Sequence, residues 1–274
     1  MLYGLYLSAG GAAAAQDRLD VTAHNMANAG TAGFKRALAL AGHHRPHPDN
    51  NSGAGFGLGN PFANLPGSPF DPGFANPTLA RSTGGDSLSA TALDLSQGNL
   101  EETGGDLDVA LAGPGFFQVQ DADGAVRLTR DGRFTRAPDG RLVTTDGRPV
   151  LGASGGPLTV PAGAENVLIA GDGTVSAKLP GGGTAALGRL AVVAPADPRG
   201  LRRHGDGRLT ATGPAAPVPP EEYQVRQGYI ESSGVDAVKE TLSVIESSRA
   251  FETNLNLVKL QDESLGRLLS VAGA

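Results

Sequence analysis

The apolar residues near both ends of this chain follow one rhythm, and the long middle does not share it. In the first thirty or so positions, Leu5, Ser8, Ala12, Ala15, Leu19, Thr22 and Met26 recur at alternating steps of three and four. The same rhythm returns as Val235, Val238, Leu242 and Ile245, then as Leu255, Val258, Leu265 and Leu269. Such spacing predicts helices with a narrow apolar seam. The seam is too narrow for a helix sunk in a globular core. Two helices of this kind bury their seams against each other or against further copies, so the pattern is that of a subunit that assembles.

The first helix is expected from about Leu2 to Ala29, because no proline occurs before Pro46. It should stop at Asn28-Ala29-Gly30-Thr31-Ala32-Gly33, where Gly30 or Gly33 can take the left-handed conformation that closes a helix. The second should open near Ser232-Ser233-Gly234-Val235-Asp236, with Ser232 or Ser233 as its cap and Asp236 near the positive end of the dipole. Between Ile245 and Leu255 the seam falls on Ser248 and on Phe251 or Glu252. That slip resembles a stammer, which overwinds a coiled coil, or marks a change of helix partner.

The middle has another texture. Glycine makes up 41 of 274 residues, which disfavours helix and suits tight turns. From about Gln97 to Thr212, short apolar runs alternate with Asp-Gly pairs at Asp123, Asp131, Asp139, Asp146, Asp172 and Asp206. Asp-Gly is a strong hairpin signal, because both central positions of a two-residue turn want positive φ. Roughly eight to ten short strands follow, in a twisted and largely antiparallel domain. Residues 214–220 are rich in proline and read as an extended linker. Residues 37–95 are rich in Gly and Pro and read as loop, extended chain or a small appended hairpin. Phe56, Phe62, Phe70 and Phe74 within them would pin that segment to a neighbouring surface or insert into an adjacent subunit.

The expected fold class is therefore α+β. Residues 1–36 with 225–274 form a discontinuous terminal coiled-coil domain, 37–95 an extended segment, and 96–224 a mostly antiparallel β domain with its return linker.

Chemistry is sparse. A net charge of −6 with no basic patch argues against a nucleic-acid partner. Zero cysteines mean no disulfide, thiolate zinc site or thiol nucleophile. No apolar run approaches the ~18 residues of a membrane span. The start of the chain lacks Lys or Arg before Arg18, so a cleaved signal peptide is not expected. His43, His44 and His47 cluster around Pro46 without carboxylate or thiolate partners, which reads as a solvated loop rather than a metal site. The Asp-Gly pairs lack calcium-loop spacing. Gly113-Pro114-Gly115 and Gly181-Gly182-Gly183 lack the Lys-Ser/Thr of a phosphate loop. Ser154 and Ser176 have no recognisable His and acid partners. No catalytic, metal or cofactor site is expected. Plentiful carboxylates leave open a glycan-acting enzyme of the envelope.

Four blocks of sequence, in order, resemble the flagellar rod and hook family of axial proteins. The first runs from Leu19 to Arg36 and holds Asn25-Met26-Ala27-Asn28 and Thr31-Ala32-Gly33-Phe34-Lys35. The second is Gln97-Gly98-Asn99-Leu100-Glu101-Glu102-Thr103-Gly104 with Leu107 to Leu111 and Gly115-Phe116-Phe117. The third is Leu128-Thr129-Arg130-Asp131-Gly132-Arg133-Phe134, continued from Gly140 to Gly147. The fourth is Gln227-Gly228-Tyr229-Ile230-Glu231-Ser232-Ser233-Gly234-Val235, with Arg249-Ala250-Phe251-Glu252-Thr253-Asn254 beyond it. His24, Gly234 and Ser248 depart from the residues common in the family.

The resemblance implies a structural subunit of the bacterial flagellar rod, proximal or distal, that self-assembles into a helical tube carrying torque from motor to hook. A hook-related, junction or cap-like axial protein is the alternative within the family. Its partners would be identical subunits, other rod and hook proteins, the flagellar type III export apparatus and surrounding ring proteins. It would lie in the periplasm-spanning basal body, exported without a cleaved signal. Expected assembly residues are Leu5, Ala12, Leu19, Asn25, Met26, Asn28, Gly33 and Phe34 at one end. At the other they are Val238, Leu242, Ile245, Arg249, Phe251, Leu255 and Val258.

Overall fold

The structure, a computed structural model, describes residues 2–43, 86–164, 166–204 and 207–272. The aromatic residues of the 37–95 segment and the histidine cluster fall outside the described residues or side chains. The chain divides into two compact units. One holds the described parts of Met1–Ala23, Ala39–Thr91 and Thr241–Ala274; the other holds His24–Leu38 and Ala92–Glu240.

Helix α1 spans Leu2–Ala27 and helix α2 spans Ala237–Ala272. In α1, Ser8, Ala12, Ala14, Ala15, Thr22 and Asn25 are buried, so its covered face is built from small and polar side chains. The cap of α2 differs from the sequence expectation. Asp236 Oδ1 accepts from the backbone N–H of Val238 at 3.0 Å and of Lys239 at 3.3 Å. Ser233 is spent elsewhere: its hydroxyl donates to the Asn28 carbonyl at 3.0 Å. An acidic cap also satisfies the helix dipole, which a serine does not.

The strands are shorter and more numerous than expected. Strands β1 (Ala37–His43) and β2 (Asp86–Leu93) pair with each other. The remaining strands are β3 (Leu100–Glu102), β4 (Val109–Ala112), β5 (Phe116–Gln120), β6 (Val126–Thr129), β7 (Phe134–Arg136) and β8 (Leu142–Thr144). They continue with β9 (Asn166–Ile169), β10 (Thr174–Lys178), β11 (Thr184–Arg189), β12 (Val192–Pro195), β13 (Leu201–Arg203) and β14 (Leu209–Ala211). Last come β15 (Ala215–Pro217), β16 (Gln224–Gln227) and β17 (Tyr229–Glu231).

A six-stranded sheet runs β13-β14-β6-β5-β12-β15, and a three-stranded one runs β11-β10-β9. The pairs β16-β4, β17-β3 and β7-β8 complete the ladders. These pairings from β3 onward are antiparallel. Part of the expected proline-rich linker is thus an edge strand, β15, where proline costs no ladder bond. The main core gathers Val109, Leu111, Phe117, Val119, Phe134, Leu142 and Leu190 between these ladders. A smaller cluster of Phe116, Leu128, Val193, Leu201 and Leu209 lies on the other face of the six-stranded sheet's central strands.

The Asp-Gly turns fold differently from the two-residue hairpin expected. The N–H of Gly124 bonds the carbonyl of Asp121 at 3.0 Å, and Asp121 N–H bonds the carbonyl of Ala125 at 2.8 Å. Gly140 with Ala137, Gly147 with Thr144 and Gly173 with Ala170 repeat this pattern. Each is a three-residue loop in which only the glycine needs positive φ. The aspartate turns back to accept a backbone N–H two residues on, as Asp139 does from Arg141 at 3.0 Å.

Two of these glycines separate conformation from packing. A Cβ on Gly124 would meet nothing within 4 Å, whereas one on Gly140 would lie 2.6 Å from the Val160 carbonyl oxygen. Gly124→Ala should therefore destabilise by about 1–2 kcal/mol, the left-handed strain alone. Gly140→Ala should lose clearly more in urea denaturation of the full chain. Equal losses would show that backbone strain is the whole effect.

Candidate functional site

Charged side chains from four distant stretches of sequence converge in the unit that holds Ala92–Glu240. Glu231, the last residue of β17, is 1% exposed. Its Oε1 accepts from Lys35 Nζ at 2.7 Å and from the Gly98 N–H at 3.0 Å. Its Oε2 accepts from Arg130 Nη1 at 3.0 Å. Lys35 Nζ also donates to the Ser96 carbonyl at 2.7 Å. Arg130 spends the rest of its fork on the carbonyls of Leu111, Gly113 and Gly115, and its guanidinium lies 5.2 Å from the Phe116 ring centre.

Burial of two cations beside one carboxylate has an electrostatic signature. Desolvation pushes the Lys35 ammonium below its ordinary value, and Glu231 pulls it back. The same opposition holds for Arg130. Both cations remain bound to oxygen on several sides, which is the condition under which buried charge is tolerated.

A second buried carboxylate sits one turn into α2. Glu240 pairs with Arg36, and its Oε2 lies 3.5 Å from Asn25 Nδ2. Asn25 imitates a strand neighbour: its amide oxygen accepts from the Ala37 N–H and its Nδ2 donates to the Ala37 carbonyl, each at 2.9 Å. Between these two clusters lies Phe34, 2% exposed. Arg203 covers its ring at 4.3 Å, and the His24 ring lies 5.8 Å away. Partial burial and the Arg203 charge together hold His24 below its ordinary value.

Backbone bonds close the junction. Gly33 N–H bonds the Glu231 carbonyl at 2.7 Å, and Gly234 N–H bonds the Phe34 carbonyl at 2.9 Å. Gly33, not Gly30, takes the left-handed conformation, at φ +66°. A Cβ there would also lie 2.7 Å from the Arg130 carbonyl oxygen. Conformation and close approach both demand glycine. The arrangement holds chain segments together, and its charged atoms are spent on one another and on carbonyls.

The structure brings Asn25, Gly33 and Phe34 into this junction, with Asn28 at its edge through Ser233. Ala12 is buried, while Leu5, Leu19 and Met26 are half-buried on α1. On α2, Phe251 and Val258 are half-buried, Arg249 is exposed and Leu255 is 37% exposed. Val238, Leu242 and Ile245 are exposed at 71%, 57% and 43%. Sequence reasoning missed the charged members, Lys35, Arg36, Arg130, Glu231 and Glu240. The signal was an isolated charge within each of several motif blocks, with no statement of which blocks meet.

Models of flagellar hook and rod proteins match three parts of the chain. The description "flagella basal body rod protein" matches residues 5–35. The "flagellar hook protein FlgE/F/G D1 domain" matches 110–177, and the "flagellar basal body rod FlgEFG protein C-terminal" matches 226–271. The class is thus that of the flagellar hook and rod proteins. The chain is 35% identical over 246 residues to the flagellar basal-body rod protein FlgF of Caulobacter vibrioides, covering 90% of this chain and 86% of the relative. It is also 35% identical over 269 residues to the rod protein FlgG of Agrobacterium fabrum, covering 94% and 95%. To FlgF of Salmonella typhimurium it is 34% identical, covering 97% of each. The chain belongs to the flagellar basal-body rod protein family.

Glu231→Gln should leave two buried cations without a countercharge and destabilise the chain by about 3–5 kcal/mol. The loss should shrink as pH rises toward 10.5, the ordinary lysine value. Without the Glu231 charge nothing offsets the desolvation of Lys35, so its ammonium is lowered further in the variant, whose stability then rises more with pH than that of the unmodified chain. Chemical denaturation of both proteins at pH 7 and near 10 tests this. A loss under 1 kcal/mol, or one that grows with pH, would refute the junction's electrostatics.

Proposed function

We propose that this structural rod subunit assembles through its terminal helices, with α2 as the main contact to other subunits. The observation that carries the reading is the face α2 leaves open. Val238, Leu242, Ile245, Leu257, Leu260 and Leu268 lie exposed along one 36-residue helix. A helix of small and aliphatic residues with a thin covered face is poorly stable by itself. Packed among further copies it buries apolar area on several sides, and a heterologous contact that does not close generates a helical array. The partners fitted to this reading are identical subunits and other rod and hook proteins, joined in coiled-coil packing. The array would be a tube carrying torque from motor to hook, in the periplasm-spanning basal body. Export in a largely unfolded state through the flagellar type III apparatus suits helices that complete their packing only on assembly. No described helix is long and apolar enough to cross a membrane.

Leu242→Asp tests this directly. The residue is 57% exposed in the single chain, so the substitution should leave the melting of the β-rich unit unchanged. In the assembly it would place an unpaired carboxylate in a dry seam. A strain producing only this variant should be non-motile, and electron micrographs of its isolated basal bodies should show no complete rod. Normal motility would contradict α2 as the assembly surface.

A further inference from the structure

Gly10 and Gly11 are neighbours in α1, and they differ in what they face. A Cβ on Gly10 would meet nothing within 4 Å. One on Gly11 would lie 2.7 Å from Oδ1 and 3.1 Å from Cγ of Asn254. Gly4, one heptad earlier, stands in the same relation to Gln261, whose Nε2 would lie 2.9 Å from the added carbon. Gln261 is one heptad after Asn254. The two contacts thus run in opposite directions along α1 and α2, which defines an antiparallel pairing. Ser8, on the same face of α1 between the two glycines, has its Oγ 3.5 Å from Gln261 Nε2.

Asn254 is held by its own helix: its Nδ2 donates to the Ala250 carbonyl at 2.8 Å, which sets the amide over the glycine. Glycine inside a helix costs about 1 kcal/mol relative to alanine. At Gly4 and Gly11 that loss has a counterpart, a notch that an amide fills.

We propose that Asn254 over Gly11 and Gln261 over Gly4 form a register key, which fixes how the two terminal helices align. The need for one follows from the rest of the seam. Ala12, Ala14 and Ala15 are buried on α1 and alike, and a helix face of small repeated side chains does little by itself to fix a neighbour's register. An amide is less forgiving. Moved by one turn, it meets a Cβ instead of a notch, and it leaves its polar atoms against methyl groups. Polar residues at single seam positions specify register in coiled coils at some expense of stability. The inference rests on the reading that the terminal helices are the assembly elements, and it adds which residues set their alignment.

The test uses the full chain in a strain deleted for its own copy. The unmodified gene should restore swimming. Swimming without any copy would overturn the assembly reading and the key with it. Gly11→Ala should lose most of the swimming halo, Gly10→Ala should keep it, and Gly11→Ala with Asn254→Ala should regain it. A second readout follows alignment itself. The chain has no cysteine, so Arg18→Cys with Ser247→Cys, one heptad further along the same antiparallel pairing and outside the key, gives a single pair for a short bis-maleimide. Cross-linking within the chain should be efficient, fall several-fold with Gly11→Ala, and recover with the added Asn254→Ala. The key is overturned if Gly11→Ala swims and cross-links normally. It is equally overturned if Gly10→Ala is as defective, or if the double substitution recovers neither readout.

Discussion

Everything at the junction depends on one carboxylate kept from water. Glu231 receives an ammonium from the segment after α1, a guanidinium from the turn after β6, and a backbone N–H from the stretch before β3. Remove its charge and two buried cations face only carbonyls, which do not balance them. A buried salt bridge contributes little net stability against an apolar equivalent, yet breaking one is expensive. Its consequence is specificity. The segment at Gly33-Phe34-Lys35 and the segment at Glu231-Ser232-Ser233 have one arrangement that satisfies both charge and backbone.

That arrangement fixes two termini of helices. Asn25 and Glu240 hold the last turns of α1 and the first turn of α2 to the residues around Ala37 and Arg36. The helix ends are therefore set by polar contacts on the β-rich unit, while most of α2 keeps its large apolar side chains exposed. A subunit that assembles through α2, as proposed above, has use for that unburied surface.

Much of this was legible in the sequence, and the physical reasons differ by element. Both helices were marked by apolar spacing, because a helix writes its period into the chain. The β texture was marked by Asp-Gly pairs, though the turn type was not. A two-residue and a three-residue hairpin both favour Asp-Gly, and only the backbone distinguishes them. Gly33 was a candidate from its motif, yet its close approach to the Arg130 carbonyl depends on a residue about a hundred positions away. The charge network was hidden for the same reason. Lys35, Arg130 and Glu231 each look like a solvated charge until the fold places them together. The cap at Asp236 was displaced from the serines because Ser233 is bound to Asn28, another long-range contact.

Hydrogen exchange measured by mass spectrometry on the dilute full chain and on assembled rods tests this account most directly. In the dilute chain, peptides covering 24–38 and 228–240 should be protected like the β strands, because the buried junction is complete without neighbours. Peptides covering 242–268 should exchange faster than the β strands there and gain protection in the rod. Protection of 242–268 in the dilute chain equal to that of the β strands would contradict helices held in wait for partners. Fast exchange at 24–38 would contradict a junction anchored by Glu231.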